Sequence, residues 1–253
     1  MIDIHTFADI ATTARMASQA INDELAVHRE VPILFLFSGG SSRILLESFL
    51  PELFDARITV GVIDERFYSD PAVNNYAQFM QTDFYRMAVA RGVTTLETTP
   101  RKNETIEQMA KRYESYLKNW QISHSDGIIM ATLGIGPDGH IAGIMPASPK
   151  TSSQGGPYTD DARTHQSLFD DEAQWVTGYD ASYRNEYPLR VTVTLPFLRK
   201  VSFGVVYAVG KDKKNALIAT LAPVGTISQT PARIIAEMPH CLLYTDQTLD
   251  TVK

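Results

Sequence analysis

Thiol chemistry is almost absent from this chain of 253 residues, which holds one cysteine, Cys241. An internal disulfide framework is therefore excluded, and a reducing compartment is the expected setting. Cys241 lies in the apolar run Cys241-Leu242-Leu243-Tyr244, which predicts a buried thiol. Positive charge is also short, with 23 Lys and Arg against 29 Asp and Glu and a formal net charge of −6. That balance argues against broad binding to nucleic acid or an anionic membrane, which needs a basic face. A small anionic ligand stays open, because a few local cations dominate a pocket. No apolar run reaches the roughly 18 residues of a membrane span. The N-terminus carries Asp3, His5 and Asp9 in place of a basic region followed by an apolar stretch. No targeting segment is predicted, and a cytoplasmic location is expected.

Several familiar motifs are missing too. No glycine-rich loop carries the lysine of a Walker A segment or the spacing of a dinucleotide fingerprint, so ATP and NAD are poorly supported. No serine lies in a Gly-x-Ser-x-Gly elbow. Histidines 5, 28, 124, 140, 165 and 240 are scattered, and none pairs with another histidine or cysteine at ligand spacing. No metal site is predicted.

What is present is an ordinary globular composition, 44% hydrophobic and 21% charged. Short apolar runs alternate with longer amphipathic ones. Helical spacing marks 9–29, 44–50, a stretch through Phe79, Phe84 and Met87, 103–120 and 213–221. Continuous apolar runs at 32–37, 57–63, 127–132, 189–195, 203–209 and 241–245, with Trp175-Val176, read as strands. This alternation predicts an α/β fold, a three-layer sandwich with a mostly parallel, Rossmann-like sheet flanked by helices. Residues 147–173, rich in Ser, Thr, Gly and Asp, are expected to be an irregular excursion. With no repeat and no linker composition, one domain spanning 1–253 is expected.

Three constellations carry the chemistry. Gly134-Ile135-Gly136-Pro137-Asp138-Gly139-His140 follows a predicted strand and holds an acid and a histidine on one tight turn. Ser38-Gly39-Gly40-Ser41-Ser42 stands between a predicted strand and helix. It reads either as a serine-capped turn or as a cradle of N–H groups and hydroxyls for one phosphate. Asp64-Glu65-Arg66 closes another strand and reads either as a solvated charge cluster or as part of an anion site. Arg190 and Lys213 are further candidate cations.

These segments, in this order, resemble the 6-phosphogluconolactonase family, which is related to the glucosamine-6-phosphate deaminases and isomerases. The resemblance also takes in Asn75-Tyr76, Arg190-Val191-Thr192-Val193-Thr194-Leu195-Pro196, Gly210 with Lys213, and Pro231-Ala232, and runs from about residue 35 to 245. It implies hydrolysis of 6-phospho-D-glucono-1,5-lactone to 6-phosphogluconate without a metal or organic cofactor. His140 would be the general base, with Asp138 or another carboxylate such as Asp64 orienting it. Ser38, Gly39, Gly40, Ser41 and Ser42 would take the phosphate with Lys213 and Arg190 or Arg66. Gly136 and its neighbours, or Arg66, would supply donors to the oxyanion. The implied partner is the small sugar phosphate alone; oligomeric state is left open.

The sequence also departs from the family pattern. Met145 stands before Pro146 where the deaminase branch carries a catalytic glutamate, and a thioether transfers no protons. Ile141-Ala142 is closer to the isomerase pattern. Ser41-Ser42-Arg43 replaces the frequent Ser-Thr-Pro, and Asn74 stands where serine is usual. The alternatives implied are an isomerase or deaminase of a related sugar phosphate, or a non-enzymatic sugar-phosphate-binding domain.

Overall fold

The structure, a computed structural model, describes residues 2–147, 162–181 and 186–249. A strand, β1 (Ile2–Thr6), leads into α1 (Ile10–Val27), which is capped by Asp9 accepting the Thr12 N–H at 2.8 Å. β2 (Ile33–Phe37) and β3 (Ile58–Val62) follow, with 3₁₀ turns at Gly40–Ser48 and Pro51–Leu53 between them. Next come β4 (Asp64–Arg66), α2 (Asn75–Met80), α3 (Asp83–Ala90), β5 (Thr94–Thr95), α4 (Ile106–Ser123) and β6 (Ile128–Leu133). The rest is α5 (Ala162–Phe169), β7 (Val176–Asp180), β8 (Leu189–Val193), α6 (Leu195–Leu198), β9 (Phe203–Tyr207), α7 (Lys214–Leu221) and β10 (Cys241–Thr245).

Seven strands form one sheet in the order β1-β10-β9-β6-β2-β3-β5, and each neighbouring pair is parallel. Period-two alternation decides which side chains go to which layer. In β2, Ile33, Phe35 and Phe37 join the core under α1, while Leu34 and Leu36 join the core under α4. Because helices cover both faces, the strand reads as unbroken apolar sequence. The α1 side is filled by edge-to-face aromatics, Phe54 with Phe84 at 4.8 Å and Phe49 with Phe84 at 5.5 Å. Truncating one such ring costs roughly 3–5 kcal/mol. The α4 side packs Met109, Tyr113 and Leu117 against Leu34, Leu36, Ile129 and Ala131. Among the described residues no helix is long and apolar enough to cross a membrane.

A second sheet of three antiparallel strands, β4-β8-β7, lies beside α4. It stands beside the mostly parallel sheet that the sequence predicts. Asp64-Glu65-Arg66 is a strand of this smaller sheet, not merely the end of the strand before it. The strand at Trp175-Val176 is longer than read and antiparallel, and 189–195 ends at Val193 before α6. Its Val191 and Val193 face the core and its Arg190 and Thr192 the other way, an alternation hidden inside an apolar run. Residues 44–48 form 3₁₀ rather than α-helix, within Gly40–Ser48, and Phe49 and Leu50 are extended. The stretch through Phe79, Phe84 and Met87 is two helices, broken where Thr82 caps α3 by accepting the Tyr85 N–H at 3.1 Å. Of the excursion at 147–173, residues 148–161 lie outside the described residues and 162–169 are helical.

Neighbours β2 and β6 part company at their C-terminal ends, since the chain continues outward to opposite sides of the sheet from them. Such a reversal opens a crevice between the loops that follow the two strands. Ser38–Ser42 and Gly134–His140 are on those loops.

Candidate active site

A cleft of about 330 Å³ opens at this reversal. Its walls include Ser38, Gly39, Gly40, Ser41 and Ser42 from the loop after β2, Gly134, Ile135, Gly136, His140 and Ala142 from the loop after β6, and Lys213 before α7. The small sheet contributes Asp64, Arg66 and Arg190, with Glu186 and Tyr187 just ahead of β8. Every predicted site residue except Asp138 therefore lines one cleft. A larger open groove of about 840 Å³ lies across the Gly40–Ser48 turn, and of the motif residues it holds only Gly40 and Ser41.

Asp138 does not line the cleft but pairs with His140, which does. Its Oδ1 accepts the His140 backbone N–H at 3.1 Å and contacts His140 Nδ1 at 2.5 Å. That pairing fixes the tautomer with the proton on Nδ1, leaving the Nε2 lone pair as the basic position. Partial burial opposes the charge on Asp138, but the His140 hydrogen bond and charge outweigh it and hold the carboxyl below its usual range. The imidazole lies directly over Gly136, where a Cβ would come within 2.0 Å of Nδ1. Only glycine admits the ring there. The turn is closed by Gly136 N–H to the His140 carbonyl at 2.9 Å and by Ala232 N–H to the Gly139 carbonyl at 3.0 Å.

The anion side is assembled from separate elements. Ser42 Oγ is buried without a hydrogen-bond partner, as is Arg66 Nε. Leaving such groups unpaired costs about 1–3 kcal/mol each, and both residues line the cleft. Arg66 is aimed by Nη1 donating to the Val73 carbonyl at 3.3 Å and by the Tyr187 ring, 5.9 Å from its guanidinium carbon. Arg190 is buried, donates Nε to the Tyr187 carbonyl at 3.0 Å, and meets Asp64 Oδ2 at 3.4 Å. Asp64 is thus committed to Arg190, and the carboxylate on the imidazole is Asp138. Lys213 is mostly covered, with Nζ 3.2 Å from the exposed Asp212. Among the described residues no group of three or more His, Cys, Asp and Glu could hold a metal ion.

Sequence reasoning missed Asn75 as a site residue, along with Glu186 and Tyr187. Asn75 sits against Gly39 and donates Nδ2 to the Asp64 carbonyl at 2.9 Å. Its place in the matching segment Asn75-Tyr76 was the available signal; Glu186 and Tyr187 had none. Glu65, the middle residue of the Asp64-Glu65-Arg66 constellation, is fully buried and does not line the cleft. It accepts the backbone N–H groups of Arg66, Asn75 and Tyr76 at 2.6, 2.6 and 2.8 Å and the Thr98 hydroxyl at 3.1 Å. Burial pushes its carboxyl up to about 8, against the pull of those donors. It joins β4 to the start of α2. Met145 is buried, with its carbonyl accepting from His165 Nε2 at 3.0 Å.

A family model described as glucosamine-6-phosphate isomerases/6-phosphogluconolactonase matches residues 8–243. The chain is 27% identical over 213 residues to a 6-phosphogluconolactonase of Xylella fastidiosa, covering 82% of this chain and 79% of that protein. Its fold resembles the 6-phosphogluconolactonase from Trypanosoma cruzi, with a TM-score of 0.76 at 18% identity, covering 100% of this chain and 97% of the other. The enzyme of that name from Thermotoga maritima aligns with a TM-score of 0.67 at 19% identity, over 97% and 99%. With a match reaching from α1 to β10 and carrying every element of the cleft, the chain belongs to the family of glucosamine-6-phosphate isomerases and 6-phosphogluconolactonases.

Proposed function

We propose that this protein hydrolyses 6-phospho-D-glucono-1,5-lactone to 6-phosphogluconate, acting as a single domain. The observation that carries the reading is the pairing of one histidine, fixed by Asp138 as an Nδ1–H tautomer, with a separate cationic end in the same cleft. The phosphate binds at Ser38–Ser42 and the cations Lys213, Arg66 and Arg190. That remote contact holds the lactone carbonyl beside His140, so binding energy is spent on orientation.

His140 Nε2 removes a proton from water as its oxygen attacks C1, and Asp138 stabilises the resulting imidazolium. The carbonyl electron pair moves onto oxygen, where Arg66 and the N–H groups of the glycine loop are the available donors. When the tetrahedral intermediate collapses, the bond from C1 to the ring oxygen breaks. The imidazolium returns its proton to that oxygen, which becomes the C5 hydroxyl. Water is the nucleophile and an ester carbonyl the electrophile, so the reaction asks for no cofactor.

Met145 supports the lactonase over the amino-sugar branch. It presents a buried thioether where ring opening and proton shuttling would need an acid. The deciding assay follows hydrolysis of freshly made lactone, with uncatalysed opening subtracted, alongside glucosamine-6-phosphate turnover. Acceleration of the first alone is expected. Turnover of glucosamine-6-phosphate without lactone hydrolysis would overturn the proposal.

A further inference from the structure

The loop that carries His140 is anchored at a glycine that touches no part of the cleft. Gly143 N–H donates to Thr192 Oγ1 at 2.9 Å, and the Gly143 carbonyl accepts from the Tyr179 hydroxyl at 2.5 Å. Both peptide groups flanking Gly143 are thereby held from the small sheet. The Thr192 hydroxyl proton goes to the Val193 carbonyl at 3.0 Å, which leaves its lone pair facing the Gly143 N–H. Burial raises the Tyr179 phenol above its ordinary range, so it stays a donor. A Cβ at Gly143 would lie 2.7 Å from Thr192 Cβ, so the backbone rests directly on the strand.

The neighbouring residue shows what the clasp holds in place. Ala142 lines the cleft with a φ of 49°, a left-handed conformation that costs a non-glycine residue about 1–2 kcal/mol. Such strain persists only where the surroundings over-determine it. The partners of Gly143 also sit beside the site's cation. Thr192 is two residues beyond Arg190 on β8 and faces the same way, while Tyr179 is directly opposite Arg190 on β7. Asp64, opposite Thr192 on β4, pairs with that same Arg190.

We propose that Thr192 and Tyr179 are positioning residues: by clasping Gly143 they tie the loop bearing His140 to the strand bearing Arg190. The inference rests on the lactonase reading for its kinetic consequence, though not for its geometry. The clasp sets the separation between base and bound phosphate, and neither residue touches substrate. Loosening it leaves each half of the site intact but misaligned.

The test compares Thr192→Val, which keeps the shape and loses the acceptor, with Tyr179→Phe and with Thr192→Ser, which restores the hydroxyl. Lactone hydrolysis by Thr192→Val should lose about 10- to 100-fold in kcat, the scale of a misplaced reacting group. KM and 6-phosphogluconate affinity should stay near wild type, and the midpoint of the rate–pH profile should not move. Thr192→Ser should recover most of the rate. Amide hydrogen exchange in the peptide spanning 134–146 should accelerate in Thr192→Val and Tyr179→Phe, without a matching change in α1. An unchanged kcat, or parallel losses of kcat and product affinity unrelieved by Thr192→Ser, would overturn the clasp. If the wild type fails to hydrolyse the lactone, the functional reading falls, and the exchange result alone decides: faster exchange confined to 134–146 upholds the clasp, and unchanged exchange rejects it.

Discussion

The cleft has two kinds of wall, and they are built on opposite principles. The wall on the parallel-sheet loops, Ser38–Ser42 and Gly134–His140, is backbone, with glycines where a Cβ would collide with a functional side chain. The wall on the antiparallel strands is side chain, with Arg66 and Arg190 projecting from a ladder whose own hydrogen bonds are satisfied. Loops leave N–H groups free and allow close approach; strands hold long cations at fixed register. On the proposed mechanism the division matches what the reaction asks for, with proton transfer on the loop side and charge recognition shared with the strand side.

The sharpest way to break this comparison is His140→Ala. Loss of a general base costs about 10²- to 10⁴-fold in rate, and we expect that loss in kcat with 6-phosphogluconate affinity nearly unchanged. Calorimetry on the same variant checks the second half. A variant that turns over normally would remove the loop wall from the chemistry.

Arg66→Gln probes the strand wall and should do the reverse. Among the described residues its Nε has no hydrogen-bond partner, and Arg66 lines the cleft. Removing one charge-assisted contact should weaken 6-phosphogluconate binding about 10-fold, equivalent to about 1.4 kcal/mol. At saturating substrate kcat should fall less than KM rises. If kcat falls far more than affinity, Arg66 serves the oxyanion and the two walls are not separate in function.

The loop wall was legible in the sequence and the strand wall was not, for a physical reason. Gly136 and His140 are four residues apart, and the tight turn that joins them is written in local glycine, proline and acid. The apolar run at Ile33–Phe37 announced a buried parallel strand in the same local way. Asp64 and Arg190 are 126 positions apart, and nothing near either shows that β4 and β8 pair antiparallel. Thr192 and Gly143, 49 apart, are equally silent. β1 was missed because the edge strand buries little and carries a weak pattern. Local patterning offers Arg66, Arg190 and Lys213 either as surface charges or as anion-site cations, and the family resemblance favours the second reading.

Each wall also has a buried titratable anchor, and their pH signatures have opposite signs. Glu65 braces the strand wall by holding β4 to α2, while His165 braces the loop wall through the Met145 carbonyl. Burial raises Glu65 from 4.5 to about 8, so its stability contribution is complete below 4.5 and is lost as pH rises toward 8. Burial lowers His165 from 6.5 to about 4, so its contribution is complete above 6.5 and is lost as pH falls through 4. Between pH 4.5 and 6.5 the two slopes oppose and partly cancel, so the wild-type melting temperature should change little there, while from 6.5 to 8 the Glu65 slope stands alone. Glu65→Gln should flatten the limb between pH 6.5 and 8 and expose the His165 slope between 4.5 and 6.5. It should also cost about 1–3 kcal/mol throughout, because its amide group faces the Tyr76 N–H that a carboxylate oxygen accepts. His165→Gln retains a donor for Met145 and should remove the acid limb, leaving the Glu65 slope uncompensated between pH 4.5 and 6.5. Thermal melts of the three proteins across both limbs separate the anchors. A Glu65→Gln protein that keeps the wild-type alkaline slope would show that the strand wall draws its pH dependence from another group.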